Sequence, residues 1–176
     1  MPCYFFTFHA YGTWLPDRQR GFVRRDQQGI QARNINLADT YKQQMKQRDV
    51  RFDRNAQSCM IHATLQAAKI LELRVHGIGT DATHLHILVS WADERTWDAL
   101  RQRLKRALAY QLNGVHKQQR FARAGSRKRV KDRKHFDYLM SEYIPKHQGE
   151  KWFENRAHTL NKASATRSIA AIVKTV

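Results

Sequence analysis

Between Leu73 and Ser90 the chain reads LRVHGIGTDATHLHILVS, two alternating runs divided by Thr80, Asp81 and Ala82. Alternation has the period of a strand, where neighbours point to opposite faces and residues i and i+2 share one. Two such runs joined by a short turn predict an antiparallel hairpin. In its second strand Leu85, Ile87 and Val89 form one face, directed into a core, while His84 and His86 stand side by side on the other. Any fold built on this hairpin must bury one sheet face and carry a pair of imidazoles on the opposite one.

The flanking segments extend the pattern. Residues 3–11, CYFFTFHAY, are aromatic and partly alternating, which predicts a first strand. Gly12, Pro16, Gly21 and Gly29 among charged residues predict a long loop, and residues 36–52 contain room for a short helix. From about Asn55 to Glu72, Met60, Ile61, Leu65, Ala68, Ile70 and Leu71 recur at helical spacing. After the hairpin, Trp97, Leu100, Leu104, Leu108 and Leu112 predict a second amphipathic helix over about 94–113, stopped at Gly114. Residues 123–131, RAGSRKRVK, are the candidate fourth strand. A third helix follows Asp132 with Phe136, Leu139, Met140 and Tyr143, and Pro145 ends or kinks it because its ring removes a donor. The order is β-α-β-β-α-β with an appended tyrosine-bearing helix: an α+β chain on a ferredoxin-like or RRM-like plan, whose sheet leaves one face free of helices. We expect one domain over residues 1–152, with a loop-rich insertion at about 12–54, and a C-terminal tail over 153–176.

Charge narrows the partner. Lys plus Arg number 32 against 15 for Asp plus Glu, a formal net charge of +17, which directs attention to a polyanion: DNA, RNA or an anionic membrane. No apolar run approaches the roughly 20 residues that span a bilayer. The N-terminus lacks a charged start and a small-residue cleavage site. Cys3 and Cys59 are isolated, as reduced thiols are. These features predict a cytoplasmic protein, associated with the nucleoid and not with a membrane.

Between Arg101 and Lys134 stand 13 Lys or Arg and one acid, Asp132. Arg101 and Lys105 lie on the second helix, where they read either as phosphate contacts or as the ordinary solvated face of an amphipathic helix. Arg127, Lys128, Arg129, Lys131, Arg133 and Lys134 form a like-charge block that repels itself without an anion. Trp14, Phe22, Tyr110 and Trp152 are placed to stack on unpaired bases or to anchor core and loops.

Taken alone, His84 and His86 also read as two polar residues on a solvated strand face. Two imidazoles with open positions suit a divalent cation that also binds phosphate oxygens, and a third ligand must come from elsewhere. The segment Tyr138–Gly149, YLMSEYIPKHQG, offers one. Tyr143 and His147 are i and i+4 and share a helix face if the helix persists past Pro145, and Gln148 is the neighbouring candidate. Tyr138, with Glu142 four residues on, is a rival to Tyr143.

Here the sequence resembles a family. His84-Leu85-His86 matches the His-hydrophobic-His signature of HUH endonucleases, and Tyr143 with His147 or Gln148 resembles their downstream tyrosine motif. The opening YFFTFHAYGTWLPDRQRGFVRR resembles the start of single-tyrosine transposases associated with small insertion sequences and REP elements. The resemblance covers roughly residues 4–152. The family pattern places Gln or Asn four residues after the tyrosine; this chain has His147 there and Gln148 one further, so the third metal ligand stays open between them. The resemblance implies a metal-dependent single-strand DNA endonuclease or transposase. In it Mg²⁺ or Mn²⁺ sits on the histidines, and Tyr143 forms a covalent 5′-phosphotyrosine that a later 3′-OH reverses. It also implies single-stranded and hairpin DNA as partner, and leaves monomer and homodimer open, with the tyrosine acting in cis or in trans. The competing expectation is a non-catalytic basic nucleic-acid-binding protein on an RRM-like sheet. It gives no reason for the histidine pair, and the sheet lacks a convincing aromatic RNP-type pattern. A histidine-based nucleotide hydrolase would need a further histidine where Leu88 stands.

Overall fold

The hairpin forms as its alternation requires: β2 (Arg74–Asp81) and β3 (His84–Ser90) pair antiparallel around Ala82 and Thr83. The computed structural model describes residues 1–24, 27–114, 117–123 and 125–154. β1 (Cys3–His9) pairs antiparallel with the other edge of β3, in a register that sets Thr7 opposite His86 and His9 opposite His84. Two three-residue strands close the edges, β4 (Arg127–Arg129) on β1 and β5 (Lys151–Phe153) on β2, giving the order β4-β1-β3-β2-β5. The first four strands stand in the ferredoxin-like arrangement of an α+β sandwich. β5 is an addition, and it runs one residue into the stretch read from the sequence as a tail. Residues 155–176 of that tail lie outside the described residues.

α1 (Ile35–Gln43), α2 (Arg54–Ile70) and α3 (Trp97–Asn113) each begin on a side chain that satisfies an orphan backbone donor. Asn34 Oδ1 accepts from Leu37 N at 2.8 Å, Asp53 Oδ1 from Ala56 N at 2.8 Å, and Thr96 Oγ1 from Ala99 N at 3.3 Å. α2 and α3 cover one sheet face. Leu85, Ile87 and Val89 are buried there with Phe6, Phe8 and Ile78 beneath Met60, Leu100, Leu104 and Leu108.

The opposite face departs from expectation, because it is not free of helices. α4 (Arg133–Tyr138), capped by Asp132, runs into a single π-helical turn, Leu139–Tyr143, in which Ile144 N donates to Leu139 O at 2.9 Å. Together they lie on the sheet and enclose a second, smaller core of Phe5, Leu88, Leu139, Ile144 and Phe153. The close approach depends on what β2 lacks. A Cβ on Gly77 would sit 3.0 Å from Ile144 Cδ1 and 3.1 Å from Met140 Sδ, and one on Gly79 would sit 3.1 Å from Ile144 Cγ2. Glycine at both positions lets the turn settle against the backbone, and the fully buried Ile144 contributes about 1.5–3 kcal/mol by leaving water. The helix does not persist past Pro145, where residues 144–146 form turns instead. Among the described residues no helix is long and apolar enough to cross a membrane.

Candidate metal centre and nucleophile

β3 carries His84 and His86 onto the face that α4 partly covers, and the register with β1 brings Phe5, Thr7 and His9 onto the same face. His86 is 4% exposed, its ring stacked on Phe5 at 4.8 Å between centroids and its Nδ1 2.8 Å from Thr7 Oγ1. His84 is half-buried, with Nδ1 3.0 Å from Thr83 Oγ1. His147 arrives from the turn after Pro145. Its Nδ1 donates to two carbonyl oxygens at the end of the π-helical turn, Tyr143 O at 3.0 Å and Ile144 O at 3.2 Å. Carbonyls only accept, so the Nδ1 of His147 carries a proton, which leaves Nε2 as the nitrogen that can serve as a ligand. A hydroxyl can likewise accept from Nδ1–H of His86 and His84, which orients both rings in the way that partners behind a metal-bound imidazole do.

The three rings converge. Their centroids lie 4.7 Å (His84–His86), 5.2 Å (His84–His147) and 4.5 Å (His86–His147) apart, and the candidate ligand nitrogens all fall within 4.8 Å of one another. An ion with bonds of about 2.1 Å to nitrogen spaces its ligands by about 3–4 Å. Burial, reinforced by the neighbouring imidazoles, pushes the pKa of His84 down to about 4 and that of His86 to about 2. Both are neutral at pH 7, the form that coordinates a metal. The convergence of the three rings and the neutral state of His84 and His86 suit a divalent cation.

Tyr143 packs edge-on against Phe5 (5.4 Å, 88°), with its ring 5.4 Å from both His86 and His147. Burial raises its pKa, Tyr138 adds to the shift, and Arg20 acts against it. Tyr138 is 48% exposed and touches Tyr143 at 6.2 Å. Of the two tyrosines, Tyr143 is the one whose ring contacts the histidines. Gln148 is exposed, whereas His147 lies within the cluster.

No protein-family model matches the sequence, and no curated protein matches it. Among solved structures the chain is similar to one of a REP-associated tyrosine transposase bound to a REP hairpin. The TM-score is 0.47 and the sequence identity 10%, over 81% of this chain. The match spans 64% of that chain's length.

The basic residues separate into two groups. Arg101 is 9% exposed, its guanidinium 5.5 Å over the Phe8 ring and its Nε and Nη2 without hydrogen-bond partners. It is therefore not the solvated helix residue that its spacing suggests. Lys105 is turned onto the backbone, donating to the carbonyls of Ala122 and Arg123. Arg127, Lys128, Arg129, Lys131, Arg133 and Lys134 are exposed. Arg127 lies 4.1 Å over Trp97, and Arg133 pairs with Asp137 at 2.9 Å. Lys128 stands opposite Phe5 in the sheet register and shares its face, where its charge helps to hold His86 neutral.

Of the aromatic candidates, Phe22 is buried, Trp152 packs against the main core, Tyr110 is exposed and Trp14 lies tilted against His9. Thr7, Thr83 and His9 escaped the sequence reading. The signal for Thr7 and His9 was present: the i, i+2 rule that pairs His84 with His86 also aligns Phe5, Thr7 and His9, once β1 is known to neighbour β3.

Proposed function

We propose that this chain is a metal-dependent, single-tyrosine DNA transesterase of the HUH kind, cutting and rejoining single-stranded DNA near hairpins. The observation that carries the reading is the closure of His84, His86 and His147 into one cluster with the Tyr143 ring against two of its members. His84, His86 and His147 would hold the cation, with Gln148 alongside. A bound Mg²⁺ or Mn²⁺ there would supply Lewis-acid polarisation of the scissile phosphate.

The chain's own residues do the remainder. Tyr143 Oη attacks phosphorus; a tyrosyl–phosphorus bond forms, the bond to the 3′ oxygen breaks, and the 5′-phosphate stays on the protein. The proton that Tyr143 loses is matched by one that the departing 3′ oxygen gains, so the step is neutral in protons overall. Because one phosphodiester replaces another, a 3′-OH reverses the step without ATP. Phe5 and the π-helical turn hold the phenol in place, and Thr7 and Thr83 hold the imidazoles. The exposed cations from Arg127 to Lys134 would bind the flanking phosphates and make association salt-sensitive; Arg101 and Lys105 are turned inward and would serve DNA binding indirectly, Lys105 by holding the Ala122 and Arg123 carbonyls. We assign this function to the domain over 1–152, acting on DNA in the cytoplasm.

The test is incubation of the protein with labelled single-stranded DNA carrying hairpins and Mn²⁺, followed by a search for an SDS-resistant adduct. The expected result is an adduct with wild type, none with Tyr143→Phe, and none with His84→Ala, which keeps most salt-sensitive binding. An adduct that persists in Tyr143→Phe, or its absence from wild type across a hairpin library, refutes the assignment.

A further inference from the structure

The ten residues Gly12-Thr-Trp-Leu-Pro-Asp-Arg-Gln-Arg-Gly21, beginning three positions after the end of β1, carry two arginines and have no part in the triad or in the core of the sheet. They are nevertheless firmly placed. Gly12 and Gly21 bracket the loop with φ of +74° and +73°, the left-handed backbone that glycine adopts without strain. Thr13 Oγ1 donates to Ala10 O at 2.9 Å, Pro16 O accepts from Asn34 N at 3.0 Å, and Gly21 N donates to Arg18 O at 2.9 Å.

A continuous run of tilted ring contacts leads from the triad into this loop. His9, opposite His84 in the register, has its ring 6.0 Å from it. Trp14 lies 4.0 Å from His9, and the Arg18 guanidinium carbon lies 3.9 Å over the Trp14 ring. Asp17, the adjacent acid, is engaged by Lys42 at 3.4 Å. Among the described residues no carboxylate lies within salt-bridge distance of Arg18. A guanidinium resting on an aromatic face keeps the N–H donors of its fork available in its own plane. Arg20, two residues on, carries a second positive charge on the same loop, and like charges so placed repel unless an anion joins them.

We propose that the Gly12–Gly21 loop is a phosphate clamp, in which Arg18, fixed through Trp14 and His9, grips the two non-bridging oxygens of the phosphodiester at the triad. It acts from the His84 side, where Tyr143 makes no ring contact. The anion it fits is a phosphodiester: planar forked donors match two oxygens of one phosphate, and charge on those oxygens grows as Tyr143 attacks. The electrostatics agree, since the Arg18 charge is felt at His9 and His84 and that of Arg20 at Tyr143. The clamp rests on the transesterase reading for its substrate, and its test is built so that the two fail separately.

Two measurements on the full chain loaded with Mn²⁺ decide it. The first is the rate of adduct formation at saturating hairpin DNA. The second is the affinity for inorganic phosphate, read as ³¹P relaxation induced by the bound Mn²⁺. Arg18→Ala is expected to slow adduct formation by about 100-fold and to weaken phosphate binding by about tenfold, with Mn²⁺ affinity and Tm unchanged. Arg18→Lys should recover part of both, restoring the charge without the fork. Wild-type phosphate affinity and adduct rate in Arg18→Ala overturn the clamp. So does a loss that comes with lowered Mn²⁺ affinity or Tm, which would make the loop a structural support. If wild type forms no adduct on any DNA, the transesterase reading falls and phosphate relaxation alone decides the clamp: dependence on Arg18 sustains it, and its absence ends it.

Discussion

The Nδ1 of His147 donates to the backbone carbonyl of Tyr143 at 3.0 Å. The residue proposed to attack phosphorus therefore orients the ring proposed as third metal ligand. The contact exists because the helix ends at Pro145: the Tyr143 carbonyl is left without a backbone donor, while Ile144 O also accepts from His147 N at 3.3 Å. The His147 side chain supplies what the helix no longer can, and the proton this requires on Nδ1 frees Nε2.

Pro145→Ala should lengthen the helix and let backbone N–H groups compete for those carbonyls. We expect metal affinity to fall by about 10-fold, with little change in thermal stability. Titration calorimetry with Mn²⁺ measures it, and an unchanged affinity would show that the proline does not control the ring.

Thr7→Val removes the hydroxyl 2.8 Å from the buried Nδ1 of His86 while keeping its shape. An unsatisfied buried partner should cost about 1–3 kcal/mol in urea unfolding. Mn²⁺ affinity should fall by about 10–100-fold, as when the group orienting a metal-bound histidine is lost. Thr7→Ser, which keeps the hydroxyl, should restore most of the affinity.

Acid should destabilise the metal-free protein early. His9 and His84 have pKa values lowered to about 4 and His86 to about 2, all chiefly by burial, against 6.5 in the unfolded chain. Between pH 6.5 and about 4 the unfolded state binds more protons than the folded one, so stability is full above this window and falls as pH drops through it. Urea midpoints at pH 7.5, 6 and 5 should decrease in that order. A double variant, His9→Gln with His84→Gln, should flatten the trend.

Tyr143 rests on the histidines of its own chain, so the reaction should proceed in cis. Mixing Tyr143→Phe with His84→Ala, each inactive alone, should restore no adduct. Recovery of adduct on mixing would show instead that a homodimer exchanges tyrosines between its two sites.

Among the described residues the cluster is three imidazoles without a carboxylate, a nitrogen-rich site that suits transition metals better than Mg²⁺ with its preference for oxygen. We expect Mn²⁺ to bind at least about tenfold more tightly than Mg²⁺ in calorimetry. A His147→Asp variant should narrow the gap.

Local periodicity carried much of this site. Period 2 placed His84 beside His86 above Leu85, Ile87 and Val89, and the helical i, i+4 relation linked Tyr143 with His147 although the helix breaks between them. Relations across strands were not legible in the same way. Thr7 and His9 matter because β1 neighbours β3, a fact carried by no local pattern. The coverage of the histidine face was hidden for a similar reason. Phe136, Leu139 and Met140 announce an apolar stripe, but its destination is set by Gly77 and Gly79 on a distant strand, and glycines signal little on their own. Arg101 follows the spacing of a solvated residue, yet the chain packs over it.

The pairing of Thr7 with His86 and of His9 with His84 has a consequence for assembly. Side chains alternate along β1, so a slip of one residue against β3 would turn Phe6 or Phe8 toward His86 in place of the hydroxyl, and would withdraw Phe5 from the Tyr143 ring. Misaligned chains would lack the hydroxyl that steadies a ligand and the aromatic surface that steadies the phenol. Ion uptake would then select for correctly threaded molecules, since only they present the ligands in place, and cation binding during folding would act as proofreading of strand alignment.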